Sequence, residues 1–108
     1  MGSSKAIYFS EEQNYLAGLA KALGHPARIA ILQYLIDHRT CMVGALSDII
    51  PLSQSTVSHH LKELKSIGII RGVIEGASVC YCIDDRNWKK LTLALQRLIS
   101  DVNKTCCP

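Results

Sequence analysis

The chain has 108 residues, of which 48% are hydrophobic and 19% are charged. This length predicts one domain over residues 1–108 with a modest core, and the composition excludes a disordered, collagen-like or low-complexity protein. The formal net charge of +3 at pH 7 is mildly basic, which by itself does not require a nucleic-acid partner.

The first two predicted helices are marked by their end signals. Ser10 is an N-cap candidate, and Gln13 stands three residues later, where it completes a capping box. Gly24 ends this helix, and Pro26 begins the next in a first-turn position where its missing N–H costs nothing. The second helix is expected to bury apolar side chains at helical spacing, namely Ile29, Leu32, Leu35 and Ile36.

Two further helices are predicted on either side of a proline. A short helix is expected over about residues 42–49, because Pro51 keeps the residue before it out of the helical region. Ser53 then caps a longer helix, and Gly68 stands just after its end. Two compact helices joined by a short turn have the spacing of a helix-turn-helix unit.

Beyond Gly68 the apolar pattern changes to the alternation of strands. Residues 69–75 and 78–83 are short β-branched runs, and Gly76-Ala77 between them suits a type II′ hairpin turn. The covered face of the second run is expected to hold Val79, Tyr81 and Ile83. A last helix with near-heptad apolar spacing is predicted over about residues 86–103. The fold class is therefore mainly α with a β-hairpin wing, a winged helix-turn-helix whose DNA-binding unit spans about residues 42–83.

The longer helix has one polar face that suits DNA. Val57, Leu61 and Leu64 are expected to face the core, which leaves short polar groups and a cation on the other side. Glutamine reads adenine, hydroxyl groups bind base edges or phosphates, and lysine and arginine bind phosphates. The candidate DNA-binding residues are Ser53, Gln54, Ser55, Thr56, Ser58, His59, Lys62, Lys65 and Arg71. The alternative is an ordinary amphipathic helix with a solvated face, and the hairpin that follows argues against it.

Several motifs strongly resemble those of the ArsR/SmtB repressors, which are bacterial winged helix-turn-helix homodimers. The resemblance covers about residues 10–102 and is carried by Lys21–Arg28, Ser53–Leu64, Gly68–Ile70, Glu75-Gly76 and Tyr81. It implies that Ser53–Lys65 is the recognition helix and that residues 69–83 are the wing. It also implies a homodimer through helices at about residues 8–24 and 86–103, with contacts expected from Leu16, Leu19, Trp88, Leu91, Leu95 and Leu98.

The chain contains five cysteines, which is a large number for its size. Their odd number, with no signal peptide and no apolar run of membrane length, favours free thiols in the cytoplasm. The family resemblance implies an inducer that is a thiophilic metalloid, a metal ion or reactive sulfur. Cys41, Cys106 and Cys107 are the candidate metal ligands for As(III) or Sb(III), since soft centres select thiolates. Arsenic-sensing members often have Cys-x-Cys on the short helix, whereas this chain has Cys41-Met42-Val43, so the tail cysteines are needed to complete the site.

Two other inducers stay open. Oxidation or persulfide formation requires two accessible thiols, which Cys41 and a tail cysteine supply. A zinc or cadmium sensor is the third alternative, although residues 86–103 lack the His and Glu that zinc-sensing branches use on their last helix. Cys80 and Cys82 are expected to be small residues of a strand face in the wing.

No enzymatic activity and no organic cofactor are expected. The sequence has no glycine-rich phosphate loop, no paired carboxylates and no nucleophile elbow, and one hairpin cannot wall a deep pocket. A module that binds another protein through its terminal helices is the remaining alternative. The expected partners are therefore double-stranded operator DNA and a second copy of the chain, without a membrane.

Overall fold

The computed structural model describes residues 6–38, 40–76, 78–100 and 102. After a 3-10 turn at Ala6–Tyr8, the elements in chain order are α1 Glu11–Leu23, α2 Pro26–His38, β1 Thr40–Met42, α3 Val43–Ile49, α4 Gln54–Ser66, β2 Ile70–Glu75, β3 Ser78–Ile83 and α5 Asp85–Ser100. None of the helices within these ranges is both long and apolar enough to cross a membrane.

The helix ends follow the predicted signals. The Ser10 hydroxyl accepts from the Gln13 N–H at 3.1 Å, and the Gln13 side chain accepts from the Ser10 N–H at 2.9 Å. The Ser53 hydroxyl accepts from the Thr56 N–H at 3.3 Å at the start of α4. Gly68 follows α4 with a φ of 86°, in the left-handed region that favours glycine. These caps are confirmed, and they fix where α1 and α4 begin and where α4 ends.

The sheet has three strands in the order β1-β3-β2, all antiparallel. The hairpin of β2 and β3 is confirmed, whereas β1 is absent from the sequence prediction because three residues are too few for a strand pattern. Cys41 lies in β1 opposite Tyr81, and α3 begins at Val43. The short helix therefore begins one residue later than predicted, because Met42 belongs to β1. Since β3 has neighbours on both sides, Cys80 is buried, and Val79 is the exposed member of the expected covered face.

One apolar cluster joins the helices to the sheet. Its buried members are Leu19, Ile31, Leu32, Leu35, Leu46, Ile50, Val57, Leu61, Leu64, Ile69, Ile70 and Leu91. On α2 the prediction was right for Leu32 and Leu35 but wrong for Ile29 and Ile36, which are exposed. The buried arc of α2 is centred on Ala27, Ile31 and Leu35, which stand four residues apart and stack along one side of the helix.

The same cluster changes which side chains are available for dimerisation. Leu19 and Leu91 lie inside the core of one chain, and Trp88 and Leu95 pack against it. The expectation that Leu19 and Leu91 form a dimer interface is therefore wrong. Leu93, Leu98 and Ile99, in the C-terminal half of α5, are exposed instead.

Candidate nucleic-acid interface

The first turn of α4 exposes hydroxyl groups at the N-terminus of the helix. Ser53 Oγ lies 3.1 Å from Ser55 Oγ and 2.9 Å from Thr56 Oγ1, so the three hydroxyls form one hydrogen-bonded group. Ser53 and Ser55 are exposed, and no acidic residue stands in this first turn. A helix N-terminus with this composition attracts a phosphate through its N–H groups and its dipole.

The remaining candidate residues of α4 continue the same face towards its C-terminus. Gln54, His59, Lys62 and Lys65 are exposed, Ser58 is half-buried, and Val57, Leu61 and Leu64 are buried on the opposite side. The single carboxylate of α4 is Glu63, whose Oε1 lies 4.0 Å from His59 Nε2. The face therefore combines groups that read bases with cations that bind phosphates.

Lys65 and Arg71 lie on different sides of the wing. Lys65 Nζ lies 3.7 Å from the point that a Cβ would occupy at Gly72, so that side of the sheet faces α4. Neighbouring residues of a strand point to opposite faces, which places Arg71 on the far side. There its Nε donates to Cys82 Sγ at 3.3 Å, in an open groove of 470 Å³ between α2, β3 and α5 that is also lined by Leu35, Ile36, Ile83, Asp85 and Trp88. The structure therefore does not bring Arg71 together with the α4 surface.

Beneath the polar face, a buried contact joins α4 to α2. Arg28 Nε donates to His60 Nδ1 at 3.0 Å, and Arg28 Nη1 donates to the Ala22 carbonyl at 3.3 Å. The His25 ring lies 4.5 Å from the His60 ring, centroid to centroid. Sequence reasoning missed this contact, although His60 stands among the apolar residues of α4, where a histidine requires a hydrogen-bond partner.

The cysteines are only partly described. Cys106 and Cys107 lie outside the described residues, and only the backbone of Cys41 is placed, so the arrangement of this triad stays a prediction. Neither Cys80 nor Cys82 is part of a disulfide, and the first is buried and the second half-buried. Among the described residues, no three His, Cys, Asp or Glu side chains are grouped as metal ligands would be.

Comparison with known proteins connects this geometry to a family. A profile described as "Helix-turn-helix domain" matches residues 23–73, which run from the end of α1 into β2. The chain is 36% identical to the HTH-type transcriptional regulator CmtR of Mycobacterium tuberculosis, over 83% of this chain and 73% of CmtR. It is 34% identical to the transcriptional activator HlyU of Vibrio cholerae, over 80% of this chain and 79% of HlyU.

Solved structures agree with the sequence relatives. Reduced HlyU from Vibrio cholerae has a TM-score of 0.64 at 32% identity and covers 80% of this chain and 90% of its own. An ArsR-like transcriptional regulator from Rhodococcus has a TM-score of 0.72 at 23% identity, over 84% and 85%, and shows the shared fold. The chain therefore belongs to the ArsR/SmtB family of winged helix-turn-helix, DNA-binding transcriptional regulators.

Proposed function

We propose that this protein is a homodimeric repressor that holds operator DNA with α4 and releases it when a thiophilic inducer reaches its cysteines. The observation that carries the DNA contact is the exposed face of α4, which has hydroxyls at its N-terminus and lysines further along. Helix N-terminal residues of such units contact base edges in the major groove, while cations bind the backbone. The expected cytoplasmic location stays a prediction.

The proposed dimer pairs the C-terminal halves of α5. Leu93, Leu98 and Ile99 are more than half exposed there, and Ile7, Tyr8 and Phe9 add a second exposed apolar group before α1. Clusters of exposed apolar side chains usually mark surfaces that bind another protein. A two-fold pairing covers them, and it lets two copies of α4 enter successive major grooves about 34–36 Å apart.

A selection from a random pool of duplex DNA tests the DNA-binding part. We expect enrichment of an inverted repeat, with half-sites separated by about one helical turn. Affinity for the selected duplex should fall steeply as salt rises, because phosphate contacts release counterions. Failure to enrich any duplex, or a salt-independent affinity, would show that the chain is a protein-binding module instead.

For the inducer we propose As(III) or Sb(III), bound by Cys41, Cys106 and Cys107. The support is chemical, since a trivalent metalloid takes three thiolates and soft centres select sulfur. Among the five thiols, Cys80 is buried and Cys82 is engaged by Arg71, so these two are less suited to a site that opens to solvent. Binding would link the segment before α3 to the chain after α5 and bias the dimer towards a form that fits DNA less well.

Thiol oxidation or persulfide formation is the second candidate inducer. The observation in its favour is the relative HlyU, one of whose solved structures is described as the reduced form. In this case an oxidant or a persulfide donor would take two electrons from the thiols of Cys41 and of Cys106 or Cys107, which would then be joined by a disulfide or polysulfide bridge without a metalloid.

One titration separates the candidates. The thiols are first reduced and the reductant is removed, and release of the selected duplex is then measured anaerobically with arsenite, antimonite, zinc, cadmium or a persulfide donor. We expect arsenite and antimonite to release it from the natural chain but not from the variant with Cys41→Ser and Cys106→Ser. The matched control, Cys80→Ser with Cys82→Ser, should respond like the natural chain. Release of the duplex from the Cys41 and Cys106 double variant by arsenite would disprove the triad. Release of the duplex from the natural chain by the persulfide donor alone would favour the second candidate.

A further inference from the structure

His60 is the buried polar residue on the hidden side of the recognition helix. Its side chain is 5% exposed, and it is the one residue in the described part of the chain that is both polar and buried. Its helix neighbours Val57, Leu61 and Leu64 face the core, while His59 points to solvent. Any change at His60 therefore acts on how α4 sits against the rest of the domain.

The contact with Arg28 fixes the protonation state of His60. A guanidinium can only donate hydrogen bonds, so the Nδ1 atom that lies 3.0 Å from Arg28 Nε must be an unprotonated acceptor. The imidazole is then neutral, with its proton on Nε2. Arg28 also holds the Ala22 carbonyl near the end of α1, so one guanidinium ties α1, α2 and α4 together through this imidazole.

The surroundings oppose a second proton on this ring. The titratable or charged groups that face the cluster come from α1, from the turn before α2, from α2 and from α4 itself: Lys21, His25, Arg28, His59 and Glu63. Burial lowers the pKa of His60 from its ordinary value, and His25, Arg28 and His59 lower it further, while Glu63 raises it. Burial and these neighbours outweigh the one carboxylate, so the neutral acceptor is the resting form of His60 at pH 7.

We propose that His60 is a positioning residue: its neutral Nδ1 holds α4 in the DNA-binding orientation through Arg28, so binding of a proton to His60 weakens binding to duplex DNA. Protonation turns Nδ1 into a donor that faces the donor of Arg28, and it adds a positive charge beside an existing one. The hydrogen bond is then lost, so α4 no longer has its link through Arg28 to α2 and to the Ala22 carbonyl. The effect on DNA rests on the proposed function, whereas the state of His60 in the free protein does not.

The direction of the pH effect follows from the pKa. Because the folded protein binds this proton less readily than the unfolded chain, the contribution of His60 to stability is complete above about pH 6.5 and decreases as the pH falls below it.

Nitrogen-15 NMR of the imidazoles in the free dimer, recorded from pH 8 to pH 5, is the DNA-independent test. We expect the His60 signals to show an unprotonated Nδ1 and a protonated Nε2, with a midpoint below the ordinary histidine pKa value of 6.5. Protonation of Nδ1 at neutral pH, or a midpoint at or above this ordinary value, would overturn the proposal even if no duplex were ever bound.

The affinity for the selected duplex, measured at constant ionic strength at pH 7.5 and pH 5.5, tests the consequence. The natural chain should lose about tenfold in affinity on acidification. His60→Asn places an oxygen acceptor at the position of Nδ1 and does not titrate, so it should bind at pH 7.5 and lose most of this pH dependence. His60→Gln places its acceptor at the position of Nε2 and should bind weakly at both pH values. His38→Asn removes a distant histidine and should behave like the natural chain.

The outcomes distinguish a failure of the His60 positioning role from a failure of the proposed DNA-binding function. Equal pH profiles for the natural chain and His60→Asn would overturn the positioning role, while DNA binding itself stands. If His60→Asn does not fold, the NMR midpoint of His60 and the pH dependence of duplex binding by the natural chain test the proposal. Absence of any duplex binding would remove the proposed function and leave the NMR result as the test of the His60 contact.

Discussion

For single residues, the side of the sheet on which a cation stands decides what it can bind. Lys62 is exposed on the polar face of α4, whereas Arg71 lies on the far face of the sheet with its Nε on the Cys82 sulfur. That hydrogen bond raises the pKa of Arg71, so the guanidinium stays charged, but its charge is directed into the groove beside Trp88. The two cations should therefore differ in their effect on DNA.

Replacement of Lys62 by alanine should weaken binding to every duplex by a similar factor. The slope of log affinity against log salt should become shallower by about 0.9, the value for one lost phosphate contact. Arg71→Ala should leave the slope unchanged, as should the control Lys89→Ala on the exposed side of α5. Fluorescence anisotropy over a salt series measures all three. A larger change of slope for Arg71→Ala than for Lys62→Ala would contradict this placement of the wing.

For the secondary-structure elements, the critical junction is the glycine between the recognition helix and the wing. Gly68 has a φ of 86°, and a Cβ added there would lie 2.8 Å from Asn87 Nδ2. That amide donates to the Gly68 carbonyl at 2.7 Å, so the first turn of α5 is fastened to the end of α4. One residue thus sets the relation between α4, β2 and α5.

Gly68→Ala and Gly76→Ala form a matched pair, because both glycines are in the left-handed region but only one is crowded. Gly76→Ala meets open space and should cost only the backbone penalty of about 1–2 kcal/mol in the free energy of unfolding. Gly68→Ala should cost more, since the Asn87 side chain must also move. Urea unfolding monitored by circular dichroism measures both. Equal costs would show that the Asn87 contact contributes nothing.

Most of the elements could be predicted from the sequence because their signals are local. The Ser10 and Ser53 caps, Gly24 and Gly68 mark helix ends within a few residues, and the core side of α4 follows from its period. Strand β1 could not be predicted, since it is only three residues long and exists through its pairing with β3. Ile29 and Ile36 were misassigned because several apolar arcs fit α2, and only tertiary packing chooses between them.

In the candidate site, too, the local features could be predicted from the sequence and the long-range contacts could not. The exposed residues of α4 follow from a helical wheel, but the partner of His60 is 32 residues away in the sequence. The position of Arg71 depends on which face of the wing meets α4, and no pattern within the strand determines that. The proposed DNA contacts can thus be predicted from local sequence, while the contacts proposed to orient α4 cannot.

At the scale of the whole molecule, the C-terminal half of α5 remains to be covered. Leu98 is 58% exposed there, whereas Leu91, seven residues earlier on the same side of the helix, is 5% exposed. Between them, the Glu12–Arg97 ion pair of 3.1 Å links α5 to α1. The N-terminal half of α5 belongs to the fold of one chain, and the C-terminal half is free for the proposed association.

Leu98→Glu should therefore convert a dimer into a folded monomer, because it places a charge in the proposed interface. Sedimentation velocity should show the change of mass, and circular dichroism should show unchanged helix content. Leu91→Ala is the counterpart, and it should lower the free energy of unfolding by about 2–5 kcal/mol while the folded fraction still associates. A monomeric natural chain, or an unaffected Leu98→Glu dimer, would rule out this interface.

The short strand β1 also determines how the domain is closed. Thr40 pairs with Cys82, so this contact closes a loop of about 40 residues that contains α3, α4 and β2. Contacts this distant in sequence are entropically costly to form before the intervening elements are in place, which makes β1 a late addition during folding. Its backbone amides should accordingly exchange with solvent whenever the recognition unit opens, so that a three-residue strand reports on the integrity of the whole DNA-binding half.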